Sequence, residues 1–589
     1  MNISENKRRH LAMLLDVQRR DDGTTHKGLL DHQLVEGMNE LVELTGIPEQ
    51  VAKWREPARG LGGRPSVYGE DRDRFLFVIM LCLLRIGDSP QLIEIADVIC
   101  NRLAARTRAL LGLPVDNGRA SKTAVYHRVL RAWHRFTDVC DPFPGATHMR
   151  KTRAEVEQIV ARYDPELVKL KKARLNWIQN ALLEATWNLL DEETRADWSG
   201  NIVMDSTPIF VWGKNGHNSQ KKKPTDRMSP EFMVDWHFMH NDPMAWAYSL
   251  HIAATGPDPY RECRHPVLAI AASMNTHAKE VGKEFAGLLH SIVDRGHQPN
   301  YAIADRGILG HALAKDLNRP LIELGYKPVM DYKKSTKKHE GSIQGTQRGA
   351  IYVDGTPFCP STPTELVEAR ADYERTGDWQ TLRDRIARRS LYRFRKKGGD
   401  AWFCPAMGGS ATAVCPARPE GPLSLGMPTI REHAVVLGPP PADERPDCCT
   451  GGQVSLPAAG TAAEKYLQPL LYKSQKWEDH YDTRTLIEGY NGYIKTPKKE
   501  RTADASQRRV RGFAANALVA VLCLTAANIR KIERFYKDGE SPVGEPRPKP
   551  TKNGYTRPPA WVRAGKRHPH NKQAPPGVGL PDQPVPDAA

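Results

Sequence analysis

Hydrophobic positions along the chain change their period three times, and the changes divide it into zones. Up to about residue 200 the period is helical. Every residue from Phe75 to Leu84 is apolar, clamped between Arg74 and Arg85, which reads as a buried helix. The stretch 91–105 carries Leu92, Ile95, Ala96 and Ile99 at helical spacing. After a turn at Asn117-Gly118, Ser121 is a suitable N-cap for a helix running to Phe136. Val125, Val129, Trp133 and Phe136 form its apolar stripe, while Lys122, Arg128, Arg131 and Arg135 project elsewhere. Such a basic amphipathic helix after another helix fits a helix-turn-helix that reads the DNA major groove. It fits an ordinary surface helix in a basic protein equally well.

Between 201 and 332 the pattern alternates. Residues 201–213 (NIVMDSTPIFVWG) are β-rich, and 245–255 and 266–275 read as buried or half-buried strands. Residues 277–295 are helical by period, with Val281, Phe285, Leu288, Leu289 and Ile292 on one side. A short strand (301–307), a helical pattern to Gly325 and a last strand (327–332) follow. Three strands, a helix, a strand, a helix and a strand is the order of a ribonuclease H-like core. The fold class expected is α/β: a mixed five-stranded sheet with helices, interrupted by an insertion and preceded by a helical region (1–200).

The insertion is the third zone, 333–474. It is rich in Gly, Pro and Thr, holds five of the ten cysteines, and contains a basic segment near Arg383–Lys397 that reads as a helix. Strong helical periods return over 475–537. Residues 538–589 are Pro-rich, Gly-rich and basic with little apolar content, the composition of a disordered or loosely attached tail.

Charge narrows the choice of partner. The chain has 85 Lys and Arg against 69 Asp and Glu, a net charge of +16, and an excess of this size favours polyanions, nucleic acid foremost. Ten cysteines among 589 residues exclude a small disulfide scaffold. The apolar runs 75–84 and 513–527 read as buried helices, the first too short to span a bilayer and the second interrupted by Asn516 and Thr525. The N-terminal stretch MNISENKRRHLAMLLDVQRR has no signal-peptide h-region followed by a cleavage site. A cytoplasmic protein with reduced cysteines and no membrane partner is expected.

Three acids stand where acids are costly. Asp205 lies inside the apolar strand IVMDSTPIF, Asp305 ends YAIAD, and Glu488 lies in HYDTRTLIEGYNGYIK. A carboxylate among strand hydrophobics requires a partner or a cation, and converging carboxylates suit hard ions such as Mg²⁺. Around Glu488 the spacing is Tyr481-x2-Arg484-x3-Glu488-x6-Lys495. Offsets of 3, 4 and 7 place all four side chains on one face of a helix. That face offers a carboxylate flanked by two cations and a phenol, which suits a phosphodiester held by a metal with Arg and Lys on neighbouring phosphates. Surface pairing of Arg484 with Glu488 is the plainer alternative.

With these motifs the sequence resembles the DDE transposases of bacterial insertion sequences, in the group marked by Tyr-x2-Arg-x3-Glu-x6-Lys. The resemblance rests on VMDSTPI around Asp205, IADRG around Asp305, and 481–495, and covers about 200–332 and 475–530. It implies a ribonuclease H-like core in which Asp205, Asp305 and Glu488 bind two Mg²⁺ (or Mn²⁺) ions, and Tyr481, Arg484 and Lys495 contact DNA near the cut. The gap of 183 positions from Asp305 to Glu488 matches those members with an inserted domain. The implied activity is metal-dependent cleavage of the ends of a mobile element, followed by attack of the freed 3′-OH on target DNA. The implied partners are double-stranded DNA, both terminal repeats and target, and a second copy of the chain when DNA is bound. A nuclease that does not join, and a domesticated DNA-binding protein that no longer cuts, remain the alternatives.

Other signals are less specific. Ser206 and Thr207 read either as groups orienting Asp205 or as plain strand hydroxyls. Basic clusters at 221–223, 333–334, 337–338, 393–397 and 498–501, with Arg508, Arg509 and Arg511, read partly as solvated faces and partly as a track for a duplex backbone. Cys359, Cys404, Cys415, Cys448 and Cys449 are enough for a four-thiolate Zn²⁺ site, but none is spaced C-x2-C, so buried or free thiols are the simpler reading. His237 and His240 lie near the core and read equally as strand-face histidines. Trp212, Trp236 and Trp477 suit stacking on an unpaired base or, more commonly, core packing.

Overall fold

The computed structural model describes residues 28–56, 73–115, 120–213, 223–237, 245–262, 264–276, 280–309, 313–331, 343–427, 434–456, 467–496 and 500–537. The Asn117-Gly118 turn, His240, Lys221, the lysines at 333–334 and 337–338, Lys498 and the tail 538–589 lie outside them.

Every named regular element described before residue 200 is a helix. The main ones are α1 (His32–Leu44), α2 (Arg74–Ile86), α3 (Leu92–Asp97), α4 (Lys122–Asp138) and α5 (Pro165–Trp187). α2 is buried from Phe75 to Arg85 and stops at Gly87, whose left-handed backbone (φ 83°) suits a residue without a Cβ. α4 begins where its sequence says it should: the Ser121 hydroxyl accepts the Ala124 N–H, and Val125, Val129, Trp133 and Phe136 are buried.

A six-stranded mixed sheet follows. β1 (Ile202–Phe210), β2 (Asp235–His237), β3 (Ala245–Thr255) and β4 (Ala269–Asn275) precede helix α6 (Val281–Asp294). Then come β5 (Tyr301–Ala304), α7 (Asn318–Glu323) and β6 (Lys327–Met330). β3 runs antiparallel to β1 over the whole of β1, from Ile202↔Thr255 to Phe210↔Ala247, and its other edge pairs with both β2 and β4. β5 is parallel to β1, and β6 is parallel to β5. The five strands expected from the sequence are present in the spatial order β4-β3-β1-β5-β6. β2 is an addition, three residues long and too short to give a periodic signal.

The insertion carries small sheets of its own. β7 (Gly345–Gln347), β8 (Ala350–Val353) and β9 (Thr356–Phe358) form a meander, followed by α8 (Trp379–Arg389). β10 (Arg395–Gly398) and β11 (Ala401–Phe403) pair as a hairpin, β12 (Ala413–Val414) pairs with β13 (Val435–Val436), and β14 (Gln453–Ser455) joins β11. The basic segment near Arg383–Lys397 is therefore only half helical. Phe394 is drawn into a core at 1% exposure, and Arg395 and Lys396 give their backbones to the pairing with Phe403 and Trp402.

Three helices close the described chain: α9 (Gln475–Asp482), α10 (Thr485–Lys495) and α11 (Phe513–Lys537). α11 is long and apolar enough to cross a membrane, but its apolar stretch is enclosed on all sides by the protein. It packs on α5, α2 and β4. Side chains from the helices also cover the free edge of β4. Asn528 on α11 accepts from the Ala269 N–H (3.0 Å) and donates to the Ala269 C=O (2.9 Å). Asn180 on α5 accepts from the Ala272 N–H (2.9 Å), and Arg295 donates to the Ile270 C=O (2.9 Å). An edge strand satisfied in this way is closed to further pairing.

Candidate active site

Strand register builds the site. Met204, Ala304 and Met330 stand side by side on β1, β5 and β6. The next residue on each is an aspartate: Asp205, Asp305 and Asp331. β5 and β6 end there while β1 continues, so three carboxylates line the step where the sheet loses strands. α10 packs across β1 and brings Glu488 and Asn491 to the same place.

Each carboxylate has a specific environment. Asp205 accepts from Asn491 Nδ2 at 2.8 Å and from the Ser206 backbone N–H. Burial pushes its pKa up to about 6, and the negative charges of Asp305 and Glu488 push in the same direction. Asp305 accepts the Ile308 N–H at 3.0 Å. Gly307 leaves room for it, since a Cβ there would stand 3.1 and 3.3 Å from the two carboxylate oxygens. Glu488 lies on the exposed side of α10, with Arg484 Nη1 2.5 Å from its Oε1. Asp331 accepts a hydrogen bond from the Tyr472 hydroxyl.

The cations and the phenol follow the helical face. The helix is interrupted between α9 and α10 at Thr483-Arg484, but Arg484 keeps helical angles (φ −53°, ψ −32°), so the face continues across the interruption. Lys473 Nζ lies 4.7 Å over the Trp477 ring, Trp477 stacks on Tyr481 at 4.6 Å and 13°, and the Arg484 guanidinium lies 5.5 Å over Tyr481. Burial raises the Tyr481 hydroxyl to about 12, and the charges of Asp331 and Asp305 also raise it, so the phenol stays protonated beside the acids. Burial lowers the Lys495 pKa, and the nearby Asp205 charge opposes that. Tyr481 and Arg484 thus lie within electrostatic reach of Asp305, and Glu488 and Lys495 within reach of Asp205.

Other expected residues are placed differently. Ser206 does not orient Asp205 through its hydroxyl. Alternation along β1 turns Ser206 to the opposite face, where its Oγ meets His251 Nδ1 at 2.7 Å. His251 is wholly buried, which pushes its pKa down to about 3. Thr207 is on the Asp205 side but buried, at 2% exposure. Trp477 belongs to the core, and Trp236 packs edge-on against Trp246. Trp212 is exposed, with the Arg509 guanidinium 4.8 Å over its ring. Arg508 is buried and donates to the Phe210 carbonyl. On α4, Lys122 is tied to Asp97 at 2.7 Å, Arg128 is half-buried and Arg131 is exposed. His237 sits on the short strand β2.

Two residues of the site, Asn491 and Asp331, do not stand out by pattern alone. Asn491 is three residues after Glu488, the spacing that keeps it on the same helical face. Asp331 follows an apolar strand just as Asp305 does.

Among the described residues, no group of three or more His, Cys, Asp and Glu donors stands ready around one point. Glu488 is turned to Arg484, and Asp205 is held by Asn491. The donors facing the step are nevertheless all oxygens, the chemistry of a hard divalent ion. No protein-family model, curated protein or solved structure matches the chain.

Proposed function

We propose that this protein is a DNA transposase of the DDE type, which cleaves the ends of its own element and joins them to target DNA in the cytoplasm. The observation that carries the reading is the placement of Asp205 and Asp305 just past the paired Met204 and Ala304, with the helix of Glu488 packed on β1. The three acids come from places far apart in the sequence, yet the charges of Asp305 and Glu488 help drive Asp205 up to about 6. The strand order β4-β3-β1-β5-β6, with three antiparallel strands followed by two parallel ones, supports a ribonuclease H-like core. Like charges gathered at a half-buried step fit a divalent cation, Mg²⁺ or Mn²⁺, with Asp205, Asp305 and Glu488 as its holders once Glu488 leaves Arg484. Bound there, such ions polarise the scissile phosphate and lower the pKa of water.

The chain's own residues do the rest. Asn491 and the Ser206 N–H fix the Asp205 carboxylate, and Gly307 keeps the space over Asp305 open. Arg484, freed from Glu488, and Lys495 supply positive charge for phosphates flanking the cut. The stacked Trp477–Tyr481 pair stiffens the face from which Arg484 reaches out. The chain's net charge of +16 favours the DNA partner. Two ends must be held together for joining, which calls for a homodimer on DNA.

The test uses the DNA flanking the coding sequence as substrate with Mg²⁺. Asp205→Ala, Asp305→Ala and Glu488→Ala are each expected to lower cleavage by about a thousandfold or more, with gel-shift affinity within a few-fold of the parent. Precut ends should be joined to a target plasmid, and failure of joining alone would leave a simple nuclease. Parent-like cleavage by Asp205→Ala would defeat the assignment.

A further inference from the structure

The insertion gathers cysteines that the sequence scatters. Cys359, Cys404, Cys415, Cys448 and Cys449 line one cavity of about 10 Å³, room for a single small ion or one water. All five are free thiols. They make up five of the twelve buried residues of a small core, whose other members are Ala350, Ala406, Ala413, Phe394, Leu437, Val454 and Leu456. The strands around it are two to four residues long. So little apolar surface is a weak support for a fold without a cross-link.

Three of the five share one local geometry. Cys359, Cys404 and Cys415 are each followed by proline, and each opens a tight turn. The Thr362 N–H donates to the Cys359 carbonyl (3.0 Å), Met407 to Cys404 (2.9 Å) and Arg418 to Cys415 (2.8 Å). Proline at the second position sets the φ that such turns require. Two of the turns also aim a backbone N–H at the sulfur, from Ser361 to Cys359 and from Ala406 to Cys404. Donors placed like this stabilise a thiolate and orient it as a ligand.

The fourth corner comes from the adjacent pair. Cys448 and Cys449 hold their sulfurs 3.9 Å apart, but the two meet different surroundings. The Cys448 sulfur lies against Gly349, 3.2 Å from the position a Cβ would take there. Cys449 faces Arg418 and Arg445. Arg418 lines the same cavity at 8% exposure. Its Nη1 reaches the exposed Glu420 at 3.6 Å, while its Nε and Nη2 are buried without a hydrogen-bond partner among the described residues. A buried guanidinium requires compensating negative charge. Four thiolates around a divalent ion carry a net charge of −2 and supply it.

We propose that Cys359, Cys404, Cys415 and Cys449 bind one Zn²⁺ as a closed structural site that ties the insertion together. Four thiolates select a soft-tolerant tetrahedral ion, and a site with no open position serves structure rather than catalysis. Among the described residues, no three such donors already converge on one point. Closure draws the sulfurs that line the cavity together on turns already in place, with each thiol giving up its proton to solvent as its sulfur bonds the metal. The inference is independent of the reading of the acidic step.

Full-length protein purified under reducing conditions without chelator is expected to carry one zinc per chain, released by a mercurial thiol reagent. Chelator-stripped chain titrated with Co²⁺ is expected to show intense thiolate-to-cobalt charge-transfer bands together with tetrahedral d–d bands. Cys404→Ser, Cys415→Ser, Cys359→Ser and Cys449→Ser should each bring bound zinc to near zero, and Cys448→Ser should keep it. Should the serine variants fail to fold, the cobalt spectrum of the parent chain still decides, because its intensity counts thiolates. Parent protein without zinc and without cobalt bands overturns the proposal. So does zinc retained by both Cys404→Ser and Cys415→Ser, or an intact mass showing these cysteines joined as disulfides.

Discussion

Glu231 shows how a single buried acid sets the conditions under which this fold is stable. It is wholly buried, and its carboxylate accepts from the Gly512 N–H at 3.0 Å and the Tyr248 hydroxyl at 2.9 Å. That joins the loop after β1 to β3 and to the start of α11. Burial outweighs those bonds and pushes its pKa from 4.5 up to about 7. The unfolded chain therefore releases this proton first as pH rises. Below about 4.5 the group is protonated in both states and contributes nothing. Between there and about 7 the folded state is progressively disfavoured, and above that the whole penalty remains. That displacement corresponds to a penalty on the order of 3 kcal/mol. Glu231→Gln removes it. Urea unfolding on both sides of the window should show the variant gaining on the parent by about that amount as pH rises. A difference independent of pH would mean that Glu231 is already ionised in the fold.

Among the elements, Asn528 ties α11 to β4, α5 and α10. Its amide bonds both backbone groups of Ala269 on β4, donates to Thr186 on α5 (2.9 Å), and accepts from the Tyr490 hydroxyl on α10 (2.8 Å). Asn528→Ala leaves the Ala269 N–H and C=O without this partner, while Thr186 keeps its bond to the Leu183 carbonyl and Tyr490 its bond to the Leu524 carbonyl; each unsatisfied group costs about 1–3 kcal/mol. A loss of about 3 kcal/mol or more is expected in the unfolding free energy, and a loss below about 1 kcal/mol would show that water fills the gap. Asn528 also shows where pattern reading stops. The apolar run of α11 is legible, as are the five strands, because β-branched and alternating residues leave a period. The role of a polar residue inside that run is not, because nothing local says which backbone it will meet. The candidate site divides the same way. Asp205, Asp305 and Glu488 stand out against apolar surroundings or a spaced signature. Asn491 lacks charge, and Asp331 lacks a motif. Adjacency makes Ser206 look like a partner of Asp205, whereas strand alternation puts it on the other face. The gathering of the cysteines into one core is likewise not announced by their spacing; the one local regularity they carry is the Cys-Pro dipeptide at 359, 404 and 415.

At the scale of the whole molecule, the carboxylates of the acidic step all lie outside the insertion that separates them in sequence, and only its last residues, Gln468 and Tyr472, help to frame them. The chain leaves the sheet after Met330 and comes back at the same place. The Tyr472 hydroxyl donates to Asp331, and Gln468 Oε1 accepts both the Met330 N–H (3.2 Å) and Trp477 Nε1–H (3.0 Å). Exit and return are thus pinned to each other by core residues. The entropy of closing a loop grows only slowly with its length, about 0.6 kcal/mol per doubling, so the insertion's length is nearly neutral for the core. Some contacts do cross the boundary: Arg383 donates to Gln475 at 2.7 Å, and Arg370 lies 5.7 Å from the centre of the Tyr472 ring. Arg383 meets the first turn of α9, Arg370 lies on the tyrosine that bonds Asp331, and Leu471 is buried in the insertion's own core. Replacing residues 343–465 by a short Gly/Ser linker is expected to leave a core that unfolds in one cooperative transition, within about 2 kcal/mol of the parent in free energy. A core that loses its transition would mean that the insertion holds α9 against the sheet, and that Tyr481 and Arg484 owe their positions to it.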